Sequence, residues 1–169
     1  MILPDIRSTH NVGSIFRSAE IFGVKHIYIC GYTPYPHIDN DTRLPHISNK
    51  LNNQISKTAL GTEKLVPFSV YNSPMLAIEQ ARSDGNTIIA LEQSPKSTIL
   101  YNFKPPTNIA IILGREVDGV DETILSVVDE IIEIPQIGTK ESLNISSATA
   151  IMLYDIYTRN NIHENKQTI

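Results

Sequence analysis

The stretch "NIAIILGREVDGVD", Asn108 to Asp121, decides the fold. Ile109 to Leu113 form an unbroken apolar run, the pattern of a parallel strand covered on both faces. The run stops at Gly114, Arg115 and Glu116 follow, and a second glycine, Gly119, precedes a helical candidate at 121–128. The lysine of a GxxxxGK[ST] phosphate loop is missing, and the glycine spacing is not GxGxxG. What remains is a glycine turn at the C-terminal end of a central strand, where open α/β sheets take their ligands.

Outward from this segment the grammar repeats. "HIYIC" (26–30), "KLVPFSV" (64–70), "TIIAL" (87–91) and "EIIEIP" (130–135) read as further strands. Helical patterns fall at 11–22, 49–60, 74–84 and 145–160, the third opening on "NSP" and stopping at Gly85. This alternation predicts an α/β fold, a mostly parallel central sheet with helices on both faces. Residues 31–46 carry three prolines and no periodicity, so they form an irregular loop long enough to suggest a functional role. The chain of 169 residues suits one domain spanning 1–169, with a polar tail at 160–169 expected to fray.

Composition narrows the function. Hydrophobic residues make up 41%, yet no run approaches the roughly 18 apolar residues of a membrane span, and the N-terminus lacks a signal-peptide pattern. A soluble, cytoplasmic protein is expected. The single cysteine, Cys30, excludes an internal disulfide and ends a strand, so it reads as buried and not as a nucleophile. Five histidines show no HxH or HExxH spacing, which argues against zinc, and "DND" (39–41) lacks the spacing of a calcium loop. A net charge of −4 argues against coating nucleic acid by bulk electrostatics but allows a local cationic site.

Two more segments carry chemistry. In "NVGSIFRSAEIFGV" (11–24), Val12, Ile15, Phe16, Ala19 and Phe22 share one helical face, while Arg17 shares the opposite side with Gly13. Asn11 is the expected N-cap, and a glycine in a first turn costs about 0.5–1 kcal/mol relative to alanine. Gly13 therefore reads as clearing space beneath Arg17, in a site suited to an oxyanion. In "IEIPQIGTKESLNISSATAIMLYD" (132–155), Ser142 or Asn144 caps a helix. Capping alone does not account for Ser142, Asn144, Ser146 and Ser147 crowding one helix start, so the turn is expected to hold a ligand as well.

"NVGSIFRSA", "LGREVDGV" and "IPQIGTKESLNISSATAIMLYD" together resemble the three motifs of the SpoU (TrmH-like) RNA 2′-O-ribose methyltransferases of the SPOUT superfamily. "ISKTALGTEK" and "GNTIIALEQS" are similar to the same family, so the resemblance covers nearly the whole chain.

The resemblance implies a C-terminal trefoil knot holding S-adenosyl-L-methionine, with no metal. Its pocket would be built from Leu91 and Glu92, Gly114, and the Ile134–Leu143 loop including Ser142. It also implies catalytic roles. Arg17 would act at the target ribose, as base or as electrostatic stabiliser, Asn11 would orient it, and Glu116 would tether an arginine. Ser142 and Asn144 would shape the site, and Gly13 would admit the RNA backbone. The partners implied are tRNA or rRNA and a second copy of the chain, paired through the knot and the C-terminal helix. The sequence begins almost at the first motif, so the N-terminal RNA-binding extension of many relatives is not expected. RNA grip is therefore expected from the dimer, from Arg7, His10 and Arg43, or from an accessory protein. Two alternatives stand beside this reading: a non-catalytic RNA-binding module of the same fold, and a generic nucleotide-binding α/β enzyme.

Overall fold

The computed structural model describes residues 1–115, 118–140 and 142–160, together with the helical backbone of 161–164. Glu116, to which the resemblance gives a catalytic role, lies outside the described residues.

Seven strands form one sheet: β1 (Ile2–Pro4), β2 (Ile27–Cys30), β3 (Phe68–Tyr71), β4 (Thr87–Leu91), β5 (Thr98–Ile99), β6 (Ile109–Leu113) and β7 (Glu130–Glu133). Their order is β3-β2-β1-β6-β4-β7-β5, and every pairing is parallel. The helices are α1 (Thr9–Ile21), α2 (Pro45–Ala59), α3 (Pro74–Ser83), α4 (Glu122–Leu125) and α5 (Ile145–Glu164).

The two-residue period of the strands sorts the core into two layers. Ile27 and Ile29 of β2, with Ile111 and Leu113 of β6, face the layer that holds Val12, Ile15 and Phe16 of α1, Ile55 of α2 and Met152 of α5. Tyr28, Cys30, Ala110 and Ile112 face the other way, onto Ala77, Ile78 and Ala81 of α3 and Ile124 of α4. Side chains such as Ile29 and Ile112 are wholly buried, each contributing about 1.5–3 kcal/mol. Phe16 meets the ring of Phe68 edge-on at 5.6 Å between centroids.

Several boundaries differ from expectation. Thr62–Lys64 form a 3-10 turn, so the strand expected at 64–70 begins only at Phe68. The helix expected at 121–128 closes after one turn, at Leu125. α5 continues past Arg159, where a fraying tail was expected. Arg159 pairs with Asp155 (2.6 Å) and donates to the carbonyls of Leu100, Tyr101 and Phe103, which anchors that turn. Residues 165–169 lie outside the described residues.

Cys30 is inaccessible, its thiol donates weakly to the Leu3 carbonyl, and burial, with Asp5 adding to it, pushes its pKa up to about 12. Thiolate is the reactive form, so the folded protein should resist a maleimide at pH 8 and label fully once unfolded. Rapid labelling of the native protein would mean that β1 and β2 separate readily.

Candidate active site

The C-terminal ends of β4, β6 and β7 converge on a cleft of about 250 Å³. Leu91, Leu113 and Ile134 supply its apolar surface, and Gly114 and Arg115 form one rim. Ser142, Leu143 and Asn144 form the opposite rim, with Ile145 and Ala148 of α5 beside them. Every residue expected at the methyl-donor pocket lines this one cleft: Leu91, Glu92, Gly114, Ile134, Ser142 and Leu143.

The rim between β6 and α4 is a pinched turn. Arg115 N–H donates to the Gly119 carbonyl at 2.9 Å, and Gly119 N–H returns the bond to Arg115 at 3.2 Å. Gly119 has φ +67°, the left-handed region that favours glycine. Past the turn, Asp121 caps α4. The hydroxyl and amide of Thr123 donate to its carboxylate and hold its pKa below the usual carboxylate value.

On the opposite rim, Asn144 caps α5. Its Oδ1 accepts from the Ser146 amide (2.9 Å) and hydroxyl (2.6 Å). Its Nδ2 donates to Asn11 Oδ1 at 3.2 Å, joining residues 133 positions apart. Asn11 is not the N-cap of α1, as the sequence reading had it. Ser8 is, its side chain accepting from the Asn11 amide at 3.2 Å. The helix starts at Thr9, two residues before the expected Asn11, because Thr9 and His10 carry no apolar side chain to mark it.

Arg17 lies elsewhere. It lines a shallow polar groove with Ser14, Ser18, Lys57, Thr58, Ser146, Ser147 and Ala150. This groove and the strand-end cleft share the first two turns of α5. Lys57, on the last turn of α2, adds a second cation that the sequence reading missed. Only tertiary packing brings it beside Arg17.

Two residues expected to face RNA are corrected. Gly13 opens no room for RNA, because it is buried under α2. A Cβ there would lie under 3.0 Å from the Ile55 carbonyl oxygen and from Thr58 Oγ1, and 3.0 Å from Ala59 N. The guanidinium of Arg43 is spent inside its own loop. It donates to Asp41 (Nε–Oδ1 2.8 Å) and to the carbonyls of Tyr35 and Pro36, and it stacks 3.5 Å above the Tyr35 ring. The Arg43 side chain is 15% exposed, and its hydrogen bonds hold the Asp41 carboxyl well below the usual range. Arg7 lines a broad depression beside Tyr32 and Tyr35, and His10 is exposed on the first turn of α1. Neither lines the strand-end cleft or the Arg17 groove.

Residues 1–154 match the profile of the SpoU rRNA Methylase family. The chain belongs to that family. A tRNA (guanosine(18)-2′-O)-methyltransferase of Borreliella burgdorferi is 28% identical over 158 residues, 94% of this chain and 65% of the relative. The 23S rRNA (guanosine-2′-O-)-methyltransferase RlmB of Neisseria meningitidis serogroup B is 29% identical over 153 residues, 90% of this chain and 55% of the relative. The chain therefore spans somewhat over half the length of these two relatives. Among solved structures, the A. aeolicus TrmH/SpoU tRNA modifying enzyme superposes with a TM-score of 0.77 at 21% identity, covering 96% of this chain and 75% of that one. AviRb of Streptomyces viridochromogenes, solved in complex with AdoMet, gives 0.76 at 19% identity, covering 95% and 57%. These likenesses establish the SpoU fold for the parallel sheet described above. All three SpoU motifs sit at one end of that sheet, two of them tied directly by the Asn11–Asn144 hydrogen bond.

Proposed function

We propose that the chain transfers a methyl group from S-adenosylmethionine to a ribose 2′-hydroxyl of tRNA or rRNA. The observation that carries this reading is the convergence of the three SpoU motifs, with Asn144 and Asn11 hydrogen-bonded beside the strand-end cleft. The names of the relatives support RNA as the acceptor.

The cleft suits the donor chemically. Leu91, Leu113 and Ile134 would pack around an adenine, and the backbone near Gly114 and Leu143 would serve its polar edge. Bound there, S-adenosylmethionine supplies a methyl on a sulfonium that is already activated for transfer and needs no metal. The protein's share is alignment and electrostatics. Asn144 and Asn11 hold the first turns of α1 and α5 in register, which sets where Arg17 stands relative to the cleft. A guanidinium stays protonated in proteins, so Arg17 acts by holding a phosphate and stabilising the developing alkoxide. The proton leaves to solvent or to the phosphate.

A homodimer belongs to the same reading. Ile21 at the end of α1 and Ile151, Tyr154 and Tyr157 along α5 are exposed, and Phe22 meets the Tyr154 ring edge-on and the Tyr157 ring at a tilt, leaving an apolar face at the junction of the two helices. A second copy, or an accessory protein, supplies the RNA grip that the acidic chain lacks. The knot and a cytoplasmic location complete the proposal. No helix among the described residues is long and apolar enough to cross a membrane.

Calorimetric titration with S-adenosylhomocysteine, with NAD as the control, tests the donor site without knowledge of the RNA. One equivalent bound per chain, and no NAD, is the expected outcome. A folded protein that binds neither would make the non-catalytic RNA-binding module the better account.

A further inference from the structure

The geometry points to Glu92 as a positioning residue, whose carboxylate braces the glycine turn between β6 and α4 and so sets the wall of the donor cleft. This rests on the reading of that cleft as the donor site.

Glu92 follows the last residue of β4 and ties three strand ends together. Its amide donates to the Ile132 carbonyl of β7 at 2.9 Å. Its Oε1 accepts from the Gln93 amide at 2.8 Å, and its Oε2 accepts from the Val120 amide at 2.6 Å, across 28 residues. Hydrogen bonds from backbone amides to a carboxylate are shorter and about twice as strong as neutral ones. The Val120 bond reaches the far end of the turn that the Arg115–Gly119 pair closes.

The two glycines of "LGREVDGV" serve this carboxylate. A Cβ at Gly119 would lie under 3.0 Å from Glu92 Oε2, and one at Gly114 would lie 3.0 Å from the same oxygen and 2.9 Å from Gly119 C. The backbone approaches Glu92 more closely than any side chain permits. A glutamine in its place would present an NH2 group to one of two N–H donors, and one bond would be lost.

A direct donor ligand and a brace make different predictions. In Glu92→Gln, backbone hydrogen exchange over residues 113–121 of the donor-free protein should accelerate roughly 10- to 100-fold, the worth of one charge-assisted hydrogen bond. Affinity for S-adenosylhomocysteine should fall about tenfold, while exchange in β2 and α3 stays unchanged. Gly119→Ala keeps the carboxyl group but forces it off the turn, and with the added strain of alanine at φ +67° it should accelerate exchange over 113–121 at least as much. Unchanged exchange over 113–121 in Glu92→Gln would overturn the brace. If affinity nonetheless dropped, Glu92 would be a direct ligand. A wild-type protein that fails to bind S-adenosylhomocysteine would defeat the donor-site reading, and the exchange comparison, which needs no ligand, would still decide the brace.

Discussion

Arg17→Ala should lower methyl transfer to RNA by about 10²–10³-fold while leaving affinity for S-adenosylhomocysteine unchanged. The magnitude is that of removing one preorganised donor from a developing oxyanion, and the selectivity follows from where the side chain stands. Arg17 lines the groove with Lys57, Ser146 and Ser147 and touches no wall of the strand-end cleft, so its loss leaves the donor's surroundings intact. Its remaining neighbours cannot substitute for it. Lys57 is a point charge on a flexible stem, whereas a guanidinium presents a planar fork that can hold a phosphate and an alkoxide together. Arg17→Lys should therefore recover only part of the rate, and Lys57→Ala should weaken RNA binding more than it slows transfer. The measurement is single-turnover methyl incorporation, with donor titration on the same preparation. Full activity in Arg17→Ala would remove this residue from the chemistry. Joint loss of activity and donor affinity would place it in the donor site.

The strand-end cleft was legible in the chain because it rests on local signals. Unbroken apolar runs at 87–91 and 109–113 mark central parallel strands, and ligands collect where such strands end. Leu91, Gly114 and Ile134 were assigned through the resemblance to the SpoU family, and they line the cleft at those ends. β1 and β5 escaped because three residues and two residues carry no readable period. The surroundings of Gly13 and Arg43 were not legible, for a different physical reason. A helical wheel shows which side of α1 is polar, but not whether a second helix covers it, and α2 does. Arg43 is likewise an exposed loop cation on paper, and only the closure of residues 35–48 around Asp41 shows that its donors are engaged. Glu92 was expected to contact the donor. Its bond to Val120 spans 28 positions and leaves no pattern in the sequence.

Gly13→Ala separates the two readings of that glycine. If the missing side chain admitted RNA, the variant would fold as well as the parent. It would even gain up to about 1 kcal/mol of helix propensity, losing only RNA affinity. The structure requires the opposite. The added methyl would press on the Ile55 carbonyl and Ala59 amide of α2, backbone atoms that cannot rotate aside, and on Thr58 Oγ1, which is engaged with the His10 carbonyl at 2.9 Å. Relief demands separation of α1 from α2. That separation opens the layer where Val12, Phe16 and Ile55 are fully buried. Overpacking of this kind costs about 1–3 kcal/mol. At about 2–4 °C per kcal/mol for a chain of this size, the melting temperature should fall by several degrees. Gly13→Val, with more volume to place and a β-branched side chain in a helix, should fall further. Because Arg17 of α1 and Lys57 of α2 line one groove, that groove should widen in step with the loss of stability. RNA affinity would then decline as a consequence of the displaced helix. An unchanged melting temperature with weakened RNA binding would restore Gly13 to the substrate surface.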